Sequence, residues 1–266
     1  MQDRADDLDL LRNPPTLRFD DSVVWVTGAT RGLGRATALA MAGAGARLML
    51  SAQSQAALEE VATVIEEHGT EVQVVTGSVS DEADMIAAAD AIESTFGRLD
   101  VLINNAGISP HFTRAESLDV SGLREVLDTN LIGAITCARA AFPLLLRSDA
   151  ASVVNVSSVH GSRAHVRMLA YAASKGGIEM VTRTLAEEWA DRGIRVNSLA
   201  PGYIETAMTE GLRAHDGWRE KLLGRIPMSR FATTAEIASC VLFLASPASS
   251  YVTGTTLFAD GGWTAR

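Results

Sequence analysis

Tyr171 and Lys175 stand four residues apart in a stretch, Tyr171 to Trp189, that reads as helix, so both side chains leave one face. The chain has three tyrosines and only two lysines among many arginines, which makes this pairing specific. A tyrosine hydroxyl ordinarily titrates near about 10, and a neighbouring ammonium stabilises the phenolate, bringing the group towards general acid/base work. Thirteen residues before the tyrosine lies Ser158, just past the apolar run Ser152 to Val156. Its hydroxyl is suited to donate to an oxygen on which negative charge develops. Ser157 competes for that role, and a pair of serines also serves as a strand-end cap. Asn130 follows Asp128-Thr129 and precedes an apolar helix, Leu131 to Leu146. Taken alone it reads as a helix cap or a satisfied buried amide.

A second cluster binds rather than reacts. Thr27-Gly28-Ala29-Thr30-Arg31-Gly32-Leu33-Gly34 follows an apolar run and opens an Ala-rich helix. Gly28 permits a tight turn. Gly32 and Gly34 remove side chains where backbone approaches a pyrophosphate and where helix meets strand, leaving amides and the positive helix end for an anion. Strand before and helix after make this a dinucleotide-binding turn. A site selective for NAD(H) places a carboxylate at the end of the second strand, against the adenosine ribose. Here that place reads Ser51-Ala52-Gln53-Ser54. No carboxylate repels a 2′-phosphate, and Arg31 inside the turn can pair with one, so NADP(H) is favoured over NAD(H).

These residues need a scaffold, and the apolar runs supply it. Val23 to Thr27, Arg47 to Ser51, Val72 to Thr76, Val101 to Asn104, Ser152 to Val156, Arg195 to Ala200 and Thr255 to Phe258 read as seven strands. Runs such as Val23-Val24-Trp25-Val26 do not alternate, as expected of parallel strands buried on both faces. Between them lie helix formers, such as Arg35 to Ala44 and Ala56 to Glu67, ending near Gly43, Gly45 and Gly69. Strand and helix alternate throughout. The pattern predicts an α/β fold: one Rossmann-type doubly wound parallel sheet of about seven strands, helices on both faces, ligand outside the carboxyl ends of the strands. We place one domain over residues 21–266 and an N-terminal arm over residues 1–20, interrupted by Pro14-Pro15.

The formal charge of −9 argues against nucleic acid and anionic membrane as partners. The two cysteines, Cys137 and Cys240, form no C-x-x-C pair, and no His-rich metal spacing occurs, so neither disulfide nor metal is expected. A reducing cytoplasm fits, and the acidic first twenty residues carry no basic start and apolar run.

The spacing T-G-x-x-x-G-x-G at Thr27, the N-N-A-G of Asn104 to Gly107, the Tyr171/Lys175 pair and the P-G-x-x-x-T of Pro201 to Thr206 resemble the short-chain dehydrogenase/reductase family. The resemblance extends to Asp260-Gly261-Gly262. It implies a catalytic set of Asn130, Ser158, Tyr171 and Lys175. In it the asparagine distorts its helix and holds a water that relays protons to the lysine. It also implies cofactor contacts at Gly28, Thr30, Arg31, Gly32, Leu33, Gly34, Ser51, Gln53, Ser78, Val79, Asn105, Ala106, Gly107, Tyr171, Lys175, Pro201, Gly202, Ile204 and Thr206. Ser78 departs from the family's Asp or Asn beside the adenine, so that contact is weaker or falls to Val79 backbone atoms.

Two segments should shape the substrate pocket: His160 to Met168, with His160, Arg163, His165 and Arg167, and Tyr203 to Ile226, whose Met208, Leu212, Trp218 and Leu222 read as an amphipathic lid. Pro110, His111 and Phe112 add a wall. Loop cations can greet an anionic substrate, or simply be solvated. The family likeness is nearest to 3-oxoacyl-carrier-protein reductases and sugar or polyol dehydrogenases. Arg192 suits an acidic carrier protein, but Ser148-Asp149 offers no matching cation and the overall charge repels one. We therefore expect a free small-molecule ketone or secondary alcohol, a carbonyl reductase type of activity. A catalytically silent NADP(H)-binding sensor is the rival from another class. A homotetramer is implied by the family; helix Leu131 to Leu146 and Val241 to Ala245 allow it.

Overall fold

The computed structural model describes residues 16–265; the expected arm over residues 1–20 lies mostly outside them. Seven strands form one sheet: β1 (Val23–Thr27), β2 (Arg47–Ala52), β3 (Val72–Thr76), β4 (Val101–Asn104), β5 (Ser152–Val156), β6 (Arg195–Pro201) and β7 (Thr256–Ala259). They run in the order β3-β2-β1-β4-β5-β6-β7, every neighbouring pair parallel. The winding reverses between β1 and β4, which opens the cleft at their carboxyl ends.

Parallel pairing explains the unbroken apolar runs. Val24 and Val26 of β1 face one core layer with Leu48, Leu50 and Ile103. Val23 and Trp25 face the other with Met49, Leu102 and Val153. The first layer is closed by α1 (Gly32–Gly43), α2 (Gln55–Glu67) and α10 (Thr234–Ala245). The second is closed by α3 (Glu82–Phe96), α5 (Gly133–Leu145) and α7 (Leu169–Trp189). Phe19, within the expected arm, is buried against the first layer, and its amide donates to Ala44 O at 2.8 Å.

Two helices differ from the sequence expectation in an informative way. α1 begins at Gly32 and not at Arg35: Arg31 is extended and stands at the cap, and Gly32 and Gly34 lie in the first turn of the helix. The helix expected over Leu131 to Leu146 is α5, reached from α4 (Val120–Leu127) through a wide π turn, Asp128–Ile132, in which Gly133 N donates to Asp128 O. Such a turn frees a carbonyl and marks functional helices. The remaining helices, α6 (Val159–Ser162), α8 (Ala207–Ala214) and α9 (Asp216–Leu223), lie at the carboxyl end of the sheet.

Candidate active site

The glycine turn leaves β1 and is fixed by backbone bonds from Gly28 N and Ala29 N to Ser51 O. Gly28 and Gly32 have φ of +64° and +55°, the left-handed region that glycine occupies without penalty. A Cβ on Gly34 would collide with Gly28 O and Asn105 Nδ2. Asn105 Nδ2 donates to Thr27 O at 2.9 Å and Gly28 O at 3.1 Å, while Thr27 Oγ1 accepts from Asn105 N and Ala106 N, both at 3.1 Å. The N-N-A-G segment thus braces the turn from behind. In front, Thr206 Cγ2 lies 3.6 Å from where a Gly32 Cβ would stand, so the Pro201 to Thr206 loop closes the other side. The result is a backbone-walled cradle at a helix N-terminus, the shape and polarity a pyrophosphate needs. Arg31 precedes the helix and is exposed, and its side chain has no hydrogen-bond or ion-pair partner among the described residues. Thr30 and Leu33 lie in the same turn.

Beyond the carboxyl end of β2, Gln53 Nε2 donates to Ser78 Oγ at 3.3 Å, joining two residues expected to contact the cofactor. Ser78 Oγ also meets Ser80 Oγ at 2.8 Å. Val79 is buried beneath, against Gly133. Ser51 is the exception: its side chain is 1 % exposed and its hydroxyl accepts from the Trp25 indole at 2.9 Å. That residue supports the turn from below, its backbone oxygen accepting from Gly28 N and Ala29 N.

The reacting groups converge beyond β4 and β5. Ser158 caps α6, its hydroxyl accepting from His160 N at 3.2 Å, and it stands next to the Tyr171 hydroxyl. Ser157 does not compete: it is buried, with its hydroxyl donated to Lys175 O and Glu179 Oε1, each at 3.2 Å. Burial pushes the Tyr171 hydroxyl above its ordinary pKa, and the neighbouring Ser158 hydroxyl opposes this. The expected help from Lys175 is not direct in this geometry. Its Nζ donates to Val156 O at 2.7 Å and lies 5.7 Å from the Tyr171 ring centre. Burial lowers the Lys175 pKa to about 8. Gly107 makes room for this ammonium, since a Cβ there would stand 3.5 Å from Nζ and 3.3 Å from Asn130 Oδ1.

Asn130 sits in the π turn with its amide fully engaged. Oδ1 accepts from Ile108 N at 2.7 Å; Nδ2 donates to Ile108 O at 2.9 Å and to Ser174 Oγ at 3.1 Å. It therefore ties the strand-end loop to α7, the helix that carries Tyr171 and Lys175.

Other residues around the site were not singled out from sequence. Glu179, one turn after Lys175 on α7, is 6 % exposed and accepts from Ser157 and Ser162, holding both flanks of Ser158. Tyr203 donates to or accepts from His160 Nε2 at 3.3 Å and stacks edge-on to Trp263. Glu179 was legible as the next turn of the Tyr/Lys face. The Tyr203 contact was not, since 43 residues separate it from His160. His160 itself does not act as a cation: burial and the nearby His165 lower its pKa to about 4. Arg163 donates to Thr264 O at 2.8 Å, and Arg167 lies over the Phe112 ring. Phe112 meets His165, whereas His111 turns away to Glu125. The lid residues Leu212 and Leu222 pack on Ile226, Phe231 and Trp263, while Met208 stays exposed.

A doubly wound sheet with a glycine cradle at the switch point, and a Tyr/Lys/Ser group facing it, defines the class: an oxidoreductase acting on CH–OH and C=O groups. Comparisons with known proteins agree. A family model described as enoyl-(acyl carrier protein) reductase matches residues 28–264. The 3-oxoacyl-[acyl-carrier-protein] reductase of Synechocystis is 38% identical, covering 90% of this chain and 96% of its own. The cis-4-hydroxycyclohexanecarboxylate dehydrogenase of Sinomonas cyclohexanicum is 37% identical, covering 93% and 98%. Among solved structures, a gluconate 5-dehydrogenase of Burkholderia cenocepacia in complex with NADP and tartrate superposes with a TM-score of 0.90, at 31% identity and coverage of 94% and 98%. The chain belongs to the short-chain dehydrogenase/reductase family. Among the described residues no group of His, Cys, Asp or Glu is arranged to hold a metal ion, and no helix is long and apolar enough to cross a membrane.

Proposed function

We propose that the chain is an NADP(H)-dependent reductase of a free small-molecule ketone, running also as a dehydrogenase of the corresponding secondary alcohol. The observation that carries this reading is the grouping of Tyr171 with Ser158 and with the Lys175 ammonium, 5.7 Å from its ring centre, at the same strand ends as the glycine cradle. NADP(H) fits the residues present. The cradle has room for backbone approach only, Gln53 and Ser54 stand where a carboxylate would repel a 2′-phosphate, and the Arg31 guanidinium is unclaimed. The glycine turn, Gly107, Ile204 and Thr206 would hold the dinucleotide, and it supplies the hydride when bound.

The protein's share is positioning and proton supply. Ser158 donates a hydrogen bond to the substrate oxygen as negative charge builds there. Tyr171 gives that oxygen its proton. Lys175, with a pKa near 8, is charged at neutral pH and stabilises the phenolate left behind. Asn130 holds the Ile108 backbone against α7 and leaves the π turn open for a proton relay. The free small-molecule reading is supported by the relatives acting on hydroxycyclohexanecarboxylate and gluconate. Reduction of a carrier-bound 3-oxoacyl group is the second reading, favoured by the Synechocystis relative. A homotetramer is part of the proposal, and exposed Ile132, Leu146, Met180 and Tyr251 are the apolar surface it would cover.

The experiment is NADPH oxidation, with NADH in parallel, across cyclic ketones, keto acids, keto sugars and 3-oxoacyl thioesters. Turnover of free ketones with NADPH much preferred supports the proposal. Turnover confined to thioesters moves the assignment to the second reading. Tight NADPH binding without any turnover sinks the catalytic reading and leaves a sensor.

A further inference from the structure

The geometry points to a carboxylate-binding subsite beside the reaction centre, built from Arg225 and Lys221, so that the substrate is a small ketone or secondary alcohol carrying a carboxylate. This rests on the reading of Ser158 and Tyr171 given above and adds a substrate class to it.

A cavity of about 200 Å³ lies between the loop bearing His165 and Val166 and the face of α9 bearing Trp218, Lys221 and Leu222, with Arg225 one turn further on. Residues 218, 221, 222 and 225 share one helical face, and the acidic Asp216 and Glu220 fall on the opposite one. In a chain with 32 acidic and 23 basic residues, no carboxylate lines this cavity. One of the chain's two lysines is the catalytic candidate Lys175, and the other, Lys221, is here.

Both cations are held in place by aromatic faces. The Arg225 guanidinium lies 4.2 Å from the Trp263 ring centre, and Lys221 Nζ lies 5.3 Å from that of Trp218. Neither is in an ion pair among the described residues. A guanidinium stacked on a ring keeps its edge free, and that edge matches a carboxylate with two parallel hydrogen bonds.

The subsite connects to the chemistry through one aromatic layer. His165, which lines the cavity, meets His160 edge-on with ring centres 5.1 Å apart; His160 hydrogen-bonds Tyr203 at 3.3 Å, and Tyr203 meets at 5.0 Å the Trp263 ring on which Arg225 lies. His160 is two residues from Ser158, so the cation and the oxyanion donor flank the same wall. The cavity is smaller than the roughly 300–1,000 Å³ of sites that take drug-sized ligands, which fits a single ring or short chain.

The test compares 4-oxocyclohexanecarboxylate with its methyl ester, using NADPH and the full chain. We expect kcat/KM for the acid to exceed that for the ester by about 10- to 100-fold, as one charge-assisted hydrogen-bonded pair allows. Arg225→Gln should collapse the acid-to-ester ratio by the same factor, mostly through KM, while Arg225→Lys retains part of it. Titration calorimetry with cyclohexanecarboxylate on the NADP-bound protein provides a readout without turnover, and Arg225→Gln should weaken it at least 10-fold. A melting curve confirms that each variant folds. Equal rates on acid and ester in the unmodified chain, or a ratio unmoved by Arg225→Gln, overturns the subsite while the reductase reading stands. A 3-oxoacyl thioester preferred over the acid overturns it too. Arg225-dependent binding without reduction of any ketone keeps the subsite and overturns the reductase reading.

Discussion

Replacing Gly34 by alanine isolates the cradle from the rest of the fold. The added methyl would overlap Gly28 O and Asn105 Nδ2 and stand 3.0 Å from Gly28 C, and two of these three atoms are rigid backbone. The turn must move, or Asn105 must surrender its bonds to Thr27 O and Gly28 O. Overpacking of this kind costs about 1–3 kcal/mol, and each lost hydrogen bond adds about 1 kcal/mol. The sum is about 3–5 kcal/mol, which for a chain of this size lowers Tm by roughly 10 °C. Because the displaced atoms form the anion site, NADPH affinity should fall at least tenfold in the same variant. Gly43, at the other end of α1, is the control. Its Cβ would meet nothing within 4 Å and its φ is outside the left-handed region. Gly43→Ala should therefore stabilise by about 0.5–1 kcal/mol and leave NADPH binding alone. Thermal unfolding followed by circular dichroism and NADPH titration by fluorescence read both quantities. A Gly34→Ala protein that melts and binds NADPH like the parent refutes the cradle.

Reversing charge at Arg31 should leave stability unchanged, because the side chain has no partner among the described residues, and should shift the NADPH-to-NADH preference by about 10- to 100-fold towards NADH; initial rates with each cofactor measure it. His160 gives a pH dependence of stability. Its folded pKa of about 4 lies below the ordinary 6.5, so the unfolded chain binds the proton first as pH falls. Stability should drop by about 3 kcal/mol between pH 6.5 and 4 from this group alone. Urea unfolding across that range should show the loss, and His160→Gln should flatten it.

The sheet was legible because parallel strands buried on both faces must be continuously apolar, and all seven were found within a residue or two at each end. Helix starts were less so. The glycines of the turn disfavour helix by propensity, yet Gly32 opens α1 because the cradle requires it. The π turn at Asn130 has no sequence periodicity of its own, and an expected continuous helix hid it. The candidate binding and reacting groups could be proposed from sequence, from Gly28 to Lys175, because each role needs a particular residue type. The surroundings of Ser51 were not legible: position at a strand end said nothing of the Trp25 indole that donates to its hydroxyl. Tyr203, Arg225 and Trp263 form one wall only through tertiary packing, which spacing along the chain does not encode.

The most direct test of the central claim compares NADPH oxidation by the unmodified chain and by Tyr171→Phe on the best ketone found. The hydroxyl supplies the proton in this account, so the variant should bind NADPH as tightly as the parent and lose at least about 100-fold in kcat, the scale of a general acid. A Tyr171→Phe protein that reduces the ketone at the parent's rate would contradict it.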